Sequence, residues 1–375
     1  MRILDNLNID FISKRKGAYI ISTVLILLGL FGILFRGLEL GIDFKGGTDI
    51  ALKFEDPIDI ADIRNDLNNI GLGNIEVKTF GGETGILVRT ELQAVPQNIY
   101  SEMVSTIEST IKEIQPDIEM AISDSSSNSV TFNFTDINRV DSVATYLFGQ
   151  GYQTSRLDDN NLIIRVGLAD WFEKALREKM PDNAFIIQKE DHVGPKIGSE
   201  LKQDSIISIV LALTVILIYL GFRFKFVFAL GAVVALFHDV IITLGMFALL
   251  HGQIPGLNLE ISISIVAAFL TLVGYSINDT VVVFDRVREN IKIHKTADLA
   301  NNMNKAINTT MRRTIVTSLT TLFVVTVLLF FGGDVLRGFA FALFFGVLIG
   351  TYSSVFVASP FVYEYVTRGK KKIQF

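Results

Sequence analysis

The sequence predicts an α-helical polytopic membrane protein of six spans, carrying an external α+β domain of two tandem βαββαβ units. Three observations predict this. Half of the 375 residues are hydrophobic, and the mean hydropathy of +0.44 exceeds that of soluble domains. Six apolar runs are each long enough to cross a bilayer at ~1.5 Å per residue. Between the first and second runs lies a long polar segment, 37–203, with an internal repeat.

Lys14-Arg15-Lys16 precede the first run, 17–35, and Arg36 follows it with no small-residue cleavage pattern. Residues 1–36 therefore read as a cytoplasmic N-terminus and an uncleaved span. In the polar segment, 49–56 (DIALKFED) resembles 129–136 (SVTFNFTD), Gly71 matches Gly151 at the same spacing, and 86–89 (ILVR) matches 162–165 (LIIR). Each copy runs strand, helical stretch, two strands about a turn (Gly81-Gly82; 158–161), second helical stretch (95–114; 169–180) and last strand (118–123; 184–190). That order gives two ferredoxin-like units, 37–124 and 125–203, joined at 123–129 (SDSSSNS); a single irregular α+β domain is the alternative.

The segment holds 15 Lys and Arg against 28 Asp and Glu, so the rest of the chain is basic on balance. The remaining runs, 206–222, 226–250, 261–284, 314–331 and 338–357, occupy the membrane region 204–367, and a basic tail, 368–375, follows. Loops 223–225 and 285–313 and the tail carry Arg and Lys, whereas 251–260 and 332–337 hold only Arg337 between them. Both termini are thus expected in the cytoplasm, with 37–203 external. Residues 297–313, with Leu299, Met303 and Ile307 on one face, read as an amphipathic helix on the lipid surface rather than a nucleic-acid binder.

Cysteine is absent, which excludes disulfides, thiolate nucleophiles and Cys-based metal sites. There are four His without HExxH spacing and no P-loop motif, so neither metal nor cofactor is expected and ATP is not the energy source. The external segment shows no nucleophile–base set, so the chain does not read as an enzyme.

Asp279 is the one carboxylate in the run 261–284. A carboxylate inside a span costs ~2.5–3.5 kcal/mol on insertion scales. At 100° per residue Ser264, Thr271, Tyr275 and Asn278 form a stripe with Asp279 at its edge, expected to face the bundle interior or water. Arg313, Thr317 and Thr320 share a face of the fifth span, and antiparallel pairing brings Arg313 toward Asp279. The two form either a structural ion pair or a site that binds and releases a proton. His238-Asp239, mid-way along the third span with Thr243 on Asp239's side, is either structural or a relay. Asp285, Arg286, Arg288 and Arg312 read as interface anchors, and Gly346 and Gly350 as a close-packing motif. Gly46-Gly47 suit a tight turn before a strand at 48–54, and Pro195 and Gly198 an ordered approach to the second span.

Together these segments resemble the SecF family of protein-export subunits, within the resistance–nodulation–division superfamily. VGYSINDTVVVFDRVREN at 273–290 resembles its fourth-span motif. GIDFKGGT at 41–48 (Gly41, Asp43, Gly46, Gly47) is similar to its opening external motif, and VGPKIGSEL at 193–201 (Gly194, Pro195, Gly198) to its closing one. FHDV at 237–240 and RRTIVTSLTTL at 312–322 also match. The resemblance implies a multi-pass subunit of the bacterial cytoplasmic (inner) membrane, paired with SecD, that uses the proton motive force to promote export. It implies Asp279 and Arg313 as the proton-coupling residues, with His238, Asp239, Thr271, Tyr275, Asn278 and Thr317 in support. Implied partners are SecD, the SecYEG channel, unfolded preproteins and membrane lipid, with YajC and YidC as further candidates. The family's external domain is usually one ferredoxin-like unit, so the second copy looks inserted between the two motifs. Half of a proton-driven efflux or lipid transporter, and a membrane-tethered scaffold without transport chemistry, are the competing expectations.

Overall fold

The computed structural model describes residues 8–68, 75–254, 257–294 and 298–368. Gly71, residue 297 and the tail beyond Arg368, each named above, lie outside them. The chain forms two compact units, Met1–Phe44 with Glu200–Phe375, and Lys45–Ser199.

In chain order, α1 (Arg15–Phe35) and the single turn α2 (Ile42–Lys45) lead into β1 (Gly47–Phe54), α3 (Ile60–Asn68), β2 (Ile75–Thr79), β3 (Gly85–Thr90) and α4 (Gln97–Ile114). Then come β4 (Met120–Ser125), β5 (Ser129–Phe134), α5 (Ile137–Gly149), β6 (Thr154–Arg156), β7 (Asn161–Arg165), α6 (Leu168–Lys179) and β8 (Phe185–Val193). The remaining helices are α7 (Pro195–Arg223), α8 (Phe226–Leu250), α9 (Ile263–Ile293), α10 (Leu299–Phe331) and α11 (Gly333–Ser353), the last followed by a π-turn (Ser354–Ala358) and α12 (Ser359–Arg368).

The Lys45–Ser199 unit has the strands and helices expected, in the expected order, but not the expected pairing. One sheet runs β2-β3-β1-β8 and the other β4-β5-β7-β6. All neighbours in both are antiparallel. A tandem arrangement would seat β4 beside β1. Instead β4 turns back on β5 through a tight connection in which Ser126 N–H donates to Ser129 O at 2.8 Å, and β8 takes the open edge of β1. Residues 123–129 are thus the end of β4 and a hairpin turn at 126–128, not a linker. The helices follow the strands: α3 packs with α6, and α4 with α5. The division at 124/125 is therefore corrected. Residues 97–165 form one contiguous ferredoxin-like module, circularly permuted, inserted between β3 and α6 of the other. The physical reason is local. Strands separated by three residues pair as a hairpin at little loop-closure cost, whereas β4 could reach β1 only by leaving its neighbour.

Each module builds its core by strand alternation against helical spacing. Val130, Phe132 and Phe134 of β5 point inward at period two, onto Val140, Val143 and Leu147 of α5. Ile50, Leu52 and Phe54 do the same from β1, and the two cores are continuous. The repeated arginines differ. Arg89 makes a bidentate pair with Asp49 directly opposite it, both bonds 2.7 Å. Arg165 faces Ser129 across its ladder and instead binds Glu190 of β8, at 2.8 Å, and so ties the inserted module to the other sheet. Asp170 lies 3.6 Å from Arg165 and accepts the Gly167 N–H; burial raises its carboxyl above the usual range against the pull of both.

Among the described residues the membrane unit has six helical segments long and apolar enough to span, the sixth being Leu336–Arg368. Glycines set the closest crossings. A Cβ at Gly245 of α8 would collide with the Gly29 backbone of α1, and one at Gly346 of α11 with the Leu272 side chain of α9. The amphipathic helix expected on the lipid surface is instead the first half of α10. Met303, Ala306 and Ile307 are fully buried against Phe11, Ile12 and Val287. An apolar stripe suits a protein core as well as a membrane surface, and no Gly or Pro separates 299–313 from the span that follows.

Because the chain has no cysteine, strand exchange is directly testable. Lys53 and Ile186 are register partners across β1 and β8, both exposed. The double variant Lys53→Cys, Ile186→Cys is expected to oxidise to an intramolecular disulfide, read by gel mobility; persistent free thiols would favour tandem units.

Candidate functional site

In the membrane unit the polar side chains converge on Asp239, which is fully buried in α8. Its Oδ2 accepts from Ser276 Oγ of α9 at 2.5 Å and from Ser353 Oγ of α11 at 2.8 Å. Its Oδ1 lies 2.9 Å from His238 Nδ1. The other ring nitrogen, Nε2, lies 3.0 Å from Ser22 Oγ of α1. Ser22 is 3.2 Å from the Tyr352 hydroxyl, which donates to Ala18 O at 2.9 Å. Four helices are thereby joined through one carboxylate. Such a group is tolerated in an apolar interior only when its lone pairs are matched by donors, as here.

Local sequence explains the convergence. A Cβ at Gly350 would sit 3.1 Å from Ser276 Cβ, so glycine there lets α11 approach α9 closely enough for Ser276 and Ser353 to share Asp239. The sixth span then widens into the π-turn. Pro360 has no N–H and its ring excludes the helical carbonyl of residue 356, which a five-residue turn accommodates. Ser359 Oγ donates to Ser354 O at 3.0 Å across that turn.

Asp279 lies one turn beyond Ser276 on α9 and is 4% exposed. Its Oδ2 has no hydrogen-bond partner among the described residues. The groups acting on it are Ser318, by a hydrogen bond, and Arg313, by Coulomb attraction. Ser318 is in turn 2.7 Å from Thr351 Oγ1 and accepts from the Tyr275 hydroxyl at 3.4 Å. Arg313 is exposed, and no ion pair joins it to Asp279 among the described residues. The two are therefore neighbours in field rather than a closed salt bridge.

The expected polar stripe faces the other way. Ser264, Thr271 and Asn278 are exposed and Tyr275 is half-buried. The Thr271 hydroxyl bonds Ala267 O, and Thr317 bonds Arg313 O and Thr314 O, each within its own helix. Thr243 donates to the Asp239 backbone carbonyl, not its carboxylate. The interior hydroxyls are Ser276, Ser318, Thr351 and Ser353, which the sequence reading missed. The signals were Gly350 one turn before the Ser353-Ser354 pair, and Ser276 one turn before Asp279.

The opening motif also has a defined place. Gly41 N–H donates to Ile261 O at 2.9 Å, and Ile261 N–H to Glu39 O at 2.7 Å, so the segment after α1 runs as a short ladder beside the entry to α9. Asp43 Oδ2 accepts the Ile263 N–H at 2.8 Å, at the first residue of α9. A carboxylate there satisfies an orphan donor and complements the helix dipole. Gly46 and Gly47 have φ of +76° and +118°, the turn expected before β1. A Cβ on Gly46 would lie 3.1 Å from Pro195 Cα, so the opening and closing motifs touch. Pro195 is the first residue of α7, where its missing N–H costs nothing, and Gly198 N–H donates to Gly194 O at 2.9 Å.

Residues 172–368 match the family described as protein export membrane protein SecD/SecF, C-terminal, and residues 31–58 match the SecD/SecF GG motif. The chain belongs to the SecD/SecF family. A protein translocase subunit SecF of Rhodothermus marinus is 42% identical over 364 residues, 97% of this chain and 95% of the relative. One from Calditerrivibrio nitroreducens is 36% identical over 96% of this chain and 95% of its own length. Among solved structures, SecDF, a translocon-associated membrane protein from Thermus, aligns with a TM-score of 0.66 and 29% identity, covering 98% of this chain. SecDF in a super-membrane-facing form aligns with a TM-score of 0.58 and 28% identity, covering 97%. This chain spans 40% of those solved chains. It is a SecF-type multi-pass membrane protein with an accessory role in Sec-dependent translocation.

Asp43→Ala is expected to cost about 1 kcal/mol at the start of α9, read as faster hydrogen exchange confined to its first turn, with Asp43→Asn recovering most of the loss.

Proposed function

We propose that this chain couples the proton gradient to protein export as the SecF half of a SecD–SecF pair. The observation that carries the reading is the buried, unpartnered Oδ2 of Asp279 in a membrane helix. An orphaned carboxylate oxygen in that setting is stabilised by taking a proton, and Arg313 close by favours giving it up again. Each charge moved through the membrane potential is worth ~2.3 kcal/mol per 100 mV, enough to bias a conformational cycle.

The outward stripe Ser264, Thr271 and Asn278, with Gly274 between them and Arg313 and Thr317 on α10, is the face that a SecD helix bundle covers in this reading. Uncharged polar and small residues suit helix–helix contact better than lipid, and the solved SecDF chains extend well beyond the part matched here. Both termini then lie in the cytoplasm of a bacterial inner-membrane protein, and the external unit captures the emerging preprotein at the far side of SecYEG. YajC and YidC are further partners on the same reading. Asp43, at the head of α9, links the start of the proton-bearing helix to the segment that enters the external unit.

Asp279→Asn is expected to reduce precursor export, in cells lacking the native protein, to the level of the empty strain while its membrane abundance stays normal. Unimpaired export at normal abundance would contradict proton coupling at this residue.

A further inference from the structure

The network around Asp239 offers more acceptors than it has hydrogens. Ser353 Oγ lies 2.8 Å from Asp239 Oδ2 and 3.1 Å from Gly350 O, but a hydroxyl carries one hydrogen. When Asp239 is ionised, Ser353 donates to the carboxylate. When Asp239 carries a proton on Oδ2, it donates to Ser353 Oγ, and Ser353 turns its hydrogen to Gly350 O.

The histidine side has the same property. With hydrogen on Nδ1, His238 donates to Asp239 Oδ1 and Nε2 accepts from Ser22. With hydrogen on Nε2, His238 donates to Ser22, Ser22 donates to the Tyr352 hydroxyl, and Tyr352 keeps its bond to Ala18 O. In that alternative the proton sits on Asp239 Oδ1 and is donated to Nδ1, while Ser353 keeps donating to Oδ2. Both carboxylate oxygens stay hydrogen-bonded in each arrangement, and the exchange needs only hydroxyl rotation and, for a proton on Oδ1, a tautomer change.

We propose that His238–Asp239 is a proton-binding site in its own right, separate from Asp279, holding one proton where α1, α8, α9 and α11 meet. The proton adds to a carboxylate lone pair and no heavy-atom bond changes. Of the groups facing the site, α1 supplies Ser22, α8 supplies His238, α9 supplies Ser276 with Asp279 one turn on, and α11 supplies Tyr352 and Ser353. His238 is the one titratable side chain hydrogen-bonded to Asp239 among the described residues. The two carboxylates share a single turn of the sixth span. Thr351 holds Ser318 beside Asp279, and Ser353 holds Asp239. A proton arriving at Asp239 is therefore sensed on the turn that also borders Asp279, immediately before the π-turn. This site stands on its own geometry and does not require that Asp279 titrate.

The test is pH-titrated infrared difference spectroscopy of the full chain in lipid vesicles, with each variant subtracted from wild type so that aqueous carboxylates cancel. The expected result is a carboxyl band that persists in Asp279→Asn, disappears in Asp239→Asn, and shifts its midpoint by about one pH unit, a tenfold change in proton affinity, in Ser353→Ala. If Asp239→Asn does not fold, the other two variants decide. Loss of all membrane carboxyl signal in Asp279→Asn overturns the proposal, as does an unmoved midpoint in Ser353→Ala. Normal export in Asp279→Asn would sink the coupling role of that residue and leave this site standing.

Discussion

Asp239 is the point at which the membrane helices are held in register. Removing an anion from water costs several kcal/mol even after relaxation, and here three donors from three helices offset it. Those donors fix the rotation of α9 about its axis, because Ser276 can reach Asp239 from one azimuth only. That azimuth carries Asp279, one turn along, into the interior with one oxygen left over. The satisfied carboxylate thus positions the unsatisfied one. Gly350 and the π-turn serve the same end, the first by admitting Ser276 and the second by carrying the span past Pro360.

The six helical segments were legible from hydropathy, since six apolar runs of bilayer length leave few other solutions. The carboxylate in the fourth span stood out for the same reason. The inward side of α9 was not legible. Periodicity identifies a polar stripe but not the helix it faces, and α9 has two: the long one through Thr271 and Asn278 turned out to be exposed, and the shorter one through Ser276 and Asp279 buried. Residues 299–313 failed for a related reason, because an amphipathic pattern does not specify whether protein or lipid covers its apolar face.

The α/β unit shows a different limit. Tandem modules and an inserted, permuted module have the same order of strands and helices, so the order could not separate them. The hairpin turn at 126–128 decides, and it then leaves β1 with an open edge that only β8 remains to fill. Arg165 records the consequence: its counterpart Arg89 has a carboxylate across the strand, whereas Arg165 has a serine and pairs with β8 instead. Insertion between β3 and α6 leaves Gly46-Gly47 against Pro195, so the two sequence motifs stay together although a whole module lies between them.

In the proposed cycle the carboxylate on the fourth span changes its charge during work. Proton uptake into vesicles holding the full chain together with SecD, driven by an imposed pH gradient and followed by a trapped pH dye, reads this out. The account predicts uptake in wild type and none above empty vesicles with Asp279→Asn. Equal uptake in the two would contradict it.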